Sequence, residues 1–271
     1  MKTPPVIEPL LTFTKLPFGK GLSSEESFSY SQLEEIRGWI NLSIEERSPF
    51  MLSGEAGVGK TTAVRLVLSE LPTNKYSVLY FGQDQDGANF TRRFAAALGL
   101  QAKNSRKHTW LQIGQFLTDN MIEQGKTPVI VVDEAHLLDD ATLEDLRLLT
   151  NADFDRKSPV VLMLLAQLPL RTRLKCPGSE ALSQRLRFRY ALEGFTAEET
   201  AAYIMHHLRL VGAPEELFTA EALKLIFLAA KGIPREINNV CTLAILKAQS
   251  MNATKIDGKL VRQVIDQREL N

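Results

Sequence analysis

Five short apolar or aromatic runs, at residues 48–53, 77–81, 128–133, 159–165 and 186–191, alternate with stretches whose apolar positions recur at helical spacing. Runs of this length rich in Val, Ile, Leu and Phe read as buried strands, and their alternation with helical patterns predicts a parallel sheet wrapped by crossover helices. Ahead of the first run, Leu33, Ile36, Ile40 and Ile44 fall on one face of a helix, following a Pro- and Ser-containing lead. After Gly194 the texture turns helical throughout. Thr196-x-x-Glu199 reads as a capping box, Thr219 as a second N-cap, and Ile237 to Leu246 as a third apolar-faced helix.

The first strand runs into Gly54-Glu55-Ala56-Gly57-Val58-Gly59-Lys60-Thr61-Thr62, which satisfies the phosphate-loop pattern G-x-x-x-x-G-K-[ST] and stands between a strand and a helix, as that loop requires. Glycines let backbone N–H groups wrap phosphate oxygens, and the following helix offers its positive N-terminus to the same charge. In ATP binding, Lys60 is expected to reach the β- and γ-phosphates and Thr61 to ligate Mg²⁺.

About 70 residues on, Pro128-Val129-Ile130-Val131-Val132-Asp133-Glu134 is an apolar strand ending in two carboxylates. Desolvated carboxylates need compensation. Asp133 is therefore expected at the metal and Glu134 at the attacking water. Gln167 closes the next strand and is a candidate to position that water. The string Asp133-Glu134-Ala135-His136 resembles a helicase box, but no second helicase core accompanies it.

A transferring phosphoryl group develops charge that guanidinium stabilises. Arg185, with Arg187 as its alternate, is expected to serve the ATP of a neighbouring subunit. Arg235, in Gly232-Ile233-Pro234-Arg235, is expected at the nucleotide of its own chain.

Composition narrows the class. The 271 residues, 44% hydrophobic, suffice for an α/β core and a small second domain. Lys plus Arg and Asp plus Glu number 32 each, so no global field points to nucleic acid, although local patches remain. Arg92 with Arg93, and Lys103, Arg106 and Lys107, are the candidate DNA contacts. No apolar run approaches a membrane span and Met1-Lys2-Thr3-Pro4-Pro5 lacks a signal-peptide core, so the expected compartment is the cytoplasm, with no membrane partner. Cys176 and Cys241 have no metal-ligand spacing and are expected as reduced packing residues.

Together these features resemble an AAA+ ATPase. The strings at 132–138, 143–151, 166–171, 196–204 and 232–238 resemble the ExeA/GspA-like family over roughly residues 10–265. That resemblance implies an α/β P-loop AAA+ fold: a parallel five-stranded sheet flanked by helices, with a small all-helical C-terminal lid domain. The expected divisions are a lead at 1–47 packing near the nucleotide base, an ATPase domain at 48–193 and a lid at 194–271. Without a membrane span or room for a cell-wall-binding domain, the free-standing transposition-helper type, similar to TniB, TnsC and MuB, is favoured; Leu16-Pro17-Phe18-Gly19-Lys20 also matches that type. The resemblance implies a homo-oligomer, ring or helical filament, that assembles with ATP and Mg²⁺ on duplex DNA without sequence preference, engages a transposase and is reset by hydrolysis. The alternatives are a secretion-assembly ATPase, a nucleotide-dependent switch acting on a protein partner and, last, a small-molecule kinase.

Overall fold

The computed structural model describes residues 17–19, 26–82, 87–151, 158–176 and 180–269; residues 1–16 and 20–25 of the lead lie outside them. The five expected strands are present as β1 (Phe50–Gly54), β2 (Tyr76–Phe81), β3 (Thr127–Val132), β4 (Val161–Ala166) and β5 (Phe188–Leu192), their bounds within two residues of expectation. β5 begins late because the Arg187 amide donates to the Arg185 carbonyl at 2.8 Å, turning the chain before the strand starts. The helices are α1 (Ser31–Glu45), α2 (Lys60–Ser69), α3 (Gly87–Ala97), α4 (Arg106–Gln124), α5 (Asp140–Leu149), α6 (Leu168–Arg173), α7 (Glu180–Arg185), α8 (Ala197–Leu210), α9 (Ala220–Ala230), α10 (Pro234–Ser250) and α11 (Gly258–Glu269).

All strand pairs are parallel, in the order β2-β3-β4-β1-β5. Every residue of β3 and β4 is buried, as expected of central parallel strands covered on both faces. Ile130, Leu162 and Leu164 join Phe90, Phe94 and Trp110 in one core, each large side chain contributing about 1.5–3 kcal/mol by leaving water. β2 is an edge strand and exposes Val78 and Tyr80 on the same face. Parallel order brings the C-terminal ends of β1, β3 and β4 to one edge, where open α/β sheets bind ligands.

The chain separates into two compact units. Ser31–Ala56 and Lys60–Leu192 form the sheet unit; the described residues before Ser31 and after Leu192 form the other, together with Gly57–Gly59. The boundary between the two units falls within the lead, at Tyr30. α1 packs on α2 and β5 within the sheet unit, and Glu35 accepts from the Tyr190 hydroxyl at 3.0 Å. Phe18 instead stacks on His207 at 5.0 Å, and Phe28 meets Phe195 and Tyr203 edge-on at 5.6 and 5.5 Å, all within the helical unit. Aromatic side chains with no sheet to cover find the helical core.

In that unit the Thr196 capping box forms as expected, the Glu199 amide donating to Thr196 Oγ1 at 3.1 Å and the Thr196 amide to Glu199 Oε2 at 3.0 Å. Thr219 caps α9 through the Ala222 amide at 3.3 Å. Two backbone segments cross at the root of the unit. A Cβ on Gly232 (φ 73°) would stand 2.0 Å from the Phe195 carbonyl oxygen, and one on Gly194 would stand 2.5 Å from that of Lys231. The Phe195 amide donates to the Gly232 carbonyl at 2.8 Å across the crossing. Cys241 is fully buried, as expected; Cys176 is not a packing residue, since it lies exposed just past α6.

His207 gives this unit a pH response. Burial, and secondarily the neighbouring His206, push its imidazole down to about 4 from an ordinary value of 6.5. The unfolded chain takes up that proton first. The His207 contribution is thus complete above about pH 6.5 and is lost as pH falls towards 4, on the order of 1–2 kcal/mol by pH 5. His207→Phe retains the ring contacts and should flatten this loss, measured as urea-unfolding free energies at pH 7 and pH 5. Equal losses in both proteins would refute the assignment.

Candidate nucleotide site

β1 ends at Gly54 and α2 starts at Lys60, so the glycine loop connects a strand end to a helix N-terminus, the arrangement that binds anions in phosphate loops. Gly57 and Gly59 adopt φ 82° and 105°, values that side-chain-bearing residues rarely take. Glu55 and Ala56 are exposed, Val58 is buried, and Thr61 and Thr62 are exposed on the first turn. Lys60 is only 5% exposed, its Nζ donating to the carbonyls of Gly54 at 3.0 Å and Glu55 at 2.9 Å. A buried ammonium is costly unless paired. Negative phosphate oxygens suit such a cation.

Two strands away, Asp133 follows β3 and is nearly buried. Its Oδ2 accepts from the Thr61 hydroxyl at 2.6 Å and from the Tyr80 hydroxyl at 2.8 Å; its Oδ1 accepts from the Glu134 amide at 2.8 Å. Because the Thr61 proton is directed to Asp133, the hydroxyl lone pairs remain for a cation. Hard oxygen donors of this kind suit Mg²⁺, which keeps much of its water and takes few protein ligands. Desolvation, together with the Asp133 carboxylate, pushes the Tyr80 phenol far above its ordinary value, so it acts as a donor.

Glu134 sits in the left-handed region, φ 51° and ψ 35°, a sparsely populated conformation for a side-chain-bearing residue. Its Oε2 accepts from Gln167 Nε2 at 3.2 Å and lies 3.4 Å from His136 Nδ1. β4 stands beside β3, so the two strand ends bring Gln167 and Glu134 together. Arg173 braces the intervening turn, donating to the carbonyls of His136 at 3.1 Å and Leu138 at 2.9 Å and to Asp140 at 2.5 Å.

The structure therefore gathers Lys60, Thr61, Asp133, Glu134 and Gln167 at one edge. Arg235 opens α10; its amide donates to the Gly57 carbonyl at 3.3 Å and its side chain lies along Gly57, both residues within the helical unit. Arg185 is at the end of α7 with its guanidinium on Asn151 Oδ1. Arg187 lies 3.6 Å from Glu46 and over the Phe188 ring. Arg92 and Arg93 are exposed on α3, and Lys103 and Lys107 are exposed around the start of α4. Arg106 differs from them: Asp145 and Thr142 accept from it at 2.8 and 2.9 Å, so an internal carboxylate largely neutralises its charge.

Sequence reasoning missed Tyr80, His136 and Arg173. Tyr80 reads as an ordinary strand aromatic and Arg173 as a helix-surface cation. His136 was visible only as part of a string whose helicase likeness led elsewhere.

Residues 43–174 match the family described as an AAA domain. General secretion pathway protein A of Aeromonas hydrophila is 31% identical over 223 residues, which cover 80% of this chain and 40% of that protein. The chain thus spans well under half the length of that relative. Among solved structures, Cdc6p of Pyrobaculum aerophilum superposes with a TM-score of 0.68 at 15% identity, over 90% of this chain and 70% of that one. The Aeropyrum pernix ORC1 protein in complex with DNA gives 0.66 at 15%, over 91% and 67%. The Thermotoga maritima RuvB Holliday junction branch migration motor gives 0.56 at 18%, over 88% and 70%. No helix among the described residues is long and apolar enough to cross a membrane. With its parallel sheet, glycine loop and helical C-terminal part, the chain has the P-loop AAA+ fold, carries an AAA-domain match over residues 43–174 and is related in sequence to general secretion pathway protein A.

Proposed function

We propose that this chain binds and hydrolyses ATP and uses the nucleotide cycle to control an oligomer on duplex DNA, as a matchmaker for a transposase. The observation that carries the ATPase reading is the joint placement of Thr61 against Asp133 at 2.6 Å and Gln167 against Glu134 at 3.2 Å beside the Lys60 loop. Thr61 and Asp133 would hold Mg²⁺, which supplies charge neutralisation of the phosphates. Lys60 binds the terminal phosphates, while Glu134 accepts a proton from the attacking water and Gln167 orients it. Arg185 would act on the nucleotide of a neighbouring subunit and Arg235 on that of its own, each stabilising developing charge.

The DNA target is supported by the exposed cations Arg92, Arg93, Lys103 and Lys107 and by the match of residues 16–20 to free-standing helpers. Among the similar folds, the Aeropyrum ORC1 protein was solved with DNA. In a chain of zero net charge, stacking copies would concentrate one local patch along the backbone. A second reading, an ATPase of secretion assembly, is favoured by the 31% identity to general secretion pathway protein A.

Fluorescence anisotropy of a generic duplex at fixed salt, with a non-hydrolysable ATP analogue and separately with ADP, tests the choice. Cooperative binding with the analogue alone is expected; no binding in either state would reject the DNA reading in favour of the secretion one. The double variant Lys103→Glu, Lys107→Glu should weaken analogue-supported DNA binding roughly tenfold or more and reduce its salt dependence, while nucleotide affinity stays unchanged. Arg106 is left intact in this test, because a glutamate there would confront Asp145. Unaltered DNA binding would eliminate the patch.

A further inference from the structure

The proposed Mg²⁺ ligands leave one strong contact without a role. The Tyr80 hydroxyl donates to Asp133 Oδ2 at 2.8 Å, on the same oxygen that takes the Thr61 proton at 2.6 Å. A carboxylate oxygen can accept two hydrogen bonds, and Oδ2 takes these two. Tyr80 comes from edge strand β2 and is 54% exposed, so packing does not explain where its ring lies. Gly82 does. A Cβ there would stand 2.9 Å from Tyr80 Cε1, closer than real Cβ contacts run, and a tight 3.2 Å from its hydroxyl oxygen. The ring rests on the bare glycine backbone, and that seat sets the reach of the hydroxyl to Asp133.

We propose that Tyr80, seated on Gly82, is a positioning residue that holds the Asp133 carboxylate so that Thr61 keeps its proton on Asp133 and its lone pairs on the magnesium ion of a bound nucleotide. This deepens the nucleotide-site reading and rests on it. Outer-sphere partners that orient a metal ligand are worth about 10–100-fold in metal affinity when removed. Here the Glu134 amide still fixes Oδ1 and Thr61 still meets Oδ2, which moderates the loss. Tyr80→Phe should raise the half-saturating Mg²⁺ concentration roughly three- to tenfold. Gly82→Ala should move it the same way by less, because the methyl group tilts the ring without deleting the hydroxyl. Gly82 is not among the glycines with positive φ, so alanine acts there through the ring and not through backbone strain.

The experiment is the anisotropy of a fluorescent, non-hydrolysable ATP analogue, titrated with Mg²⁺ for wild type, Tyr80→Phe and Gly82→Ala, and repeated in EDTA. It reads binding and requires no turnover. The expected result is a rightward shift of the Mg²⁺ curve in both variants, with metal-free affinity and melting temperature equal to wild type. Three coincident Mg²⁺ curves would overturn the proposal. Equal weakening with and without Mg²⁺ would also overturn it, because Tyr80 would then serve the nucleotide itself. A wild-type chain whose analogue binding ignores Mg²⁺ would overturn the proposal and the metal-site reading beneath it.

Discussion

Glu134→Gln is expected to bind ATP as wild type does while hydrolysing it about 10²–10⁴-fold more slowly, the usual weight of a positioned general base. The amide keeps the size and shape of the carboxylate. Its carbonyl oxygen can still accept from Gln167 Nε2, and the left-handed backbone at φ 51° already carries this side-chain type, so the local geometry should survive. What is lost is the capacity to take a proton. Single-turnover hydrolysis together with calorimetric nucleotide affinity would separate the two effects. Turnover within a few-fold of wild type would remove Glu134 from the chemistry, leaving His136, 3.4 Å from Glu134, as the nearest alternative base. In the DNA reading, the same variant should remain on duplex with ATP when the wild type has released it.

Lys60→Ala is expected to act earlier, on binding. Charge-assisted hydrogen bonds are worth about 1.5–3 kcal/mol each, so losing the ammonium should weaken ATP roughly 10–100-fold and abolish measurable turnover at ordinary substrate levels. Removal also takes the donor from the Gly54 and Glu55 carbonyls, at 3.0 and 2.9 Å. Melting without nucleotide must therefore be measured alongside. Undiminished ATP affinity in a folded variant would show that the loop, despite its pattern, does not seat phosphates.

The strands, the glycine loop and the paired carboxylates were legible because each rests on a local rule. Apolar runs such as 128–133 must be covered on both faces, and a loop needs glycine where φ is positive, as at Gly57 and Gly59. The Thr196 capping box was legible for the same reason: donor and acceptor lie within one turn. What escaped the sequence is what depends on strand order. Tyr80 and Asp133 are brought together only because β2 pairs with β3, with Phe81 opposite Val132, and nothing in a single strand announces its neighbour. Gly82 was silent likewise, since its purpose is to be absent from the path of another side chain. The division of the lead at Tyr30 was hidden because Phe18, Phe28 and the α1 stripe are all apolar, and hydrophobicity alone does not say which core a residue will join. Arg106 shows the converse limit. A cation in a basic run reads as a surface for nucleic acid until its partner, Asp145, is located on another helix.

The backbone crossing of Gly194–Phe195 with Lys231–Gly232 makes the stretch between them a ring closed by main chain, with α8 and α9 inside it. No side chain takes part in the closure, so a change at one glycine has no compensating change available at the other, and this point has a single solution. The circumference of the ring is under no such constraint, because loop-closure entropy grows only slowly with added residues. In the connection between α8 and α9, engineered insertions should therefore be tolerated at the exposed residues 214–216 and not at Leu217 or Phe218, which are buried and held to Ile256, whose amide donates to the Leu217 carbonyl at 2.7 Å. A peptide tag or reporter domain placed at those exposed residues would lengthen the ring while leaving its clasp, and the start of α10 three residues after Lys231, where they are.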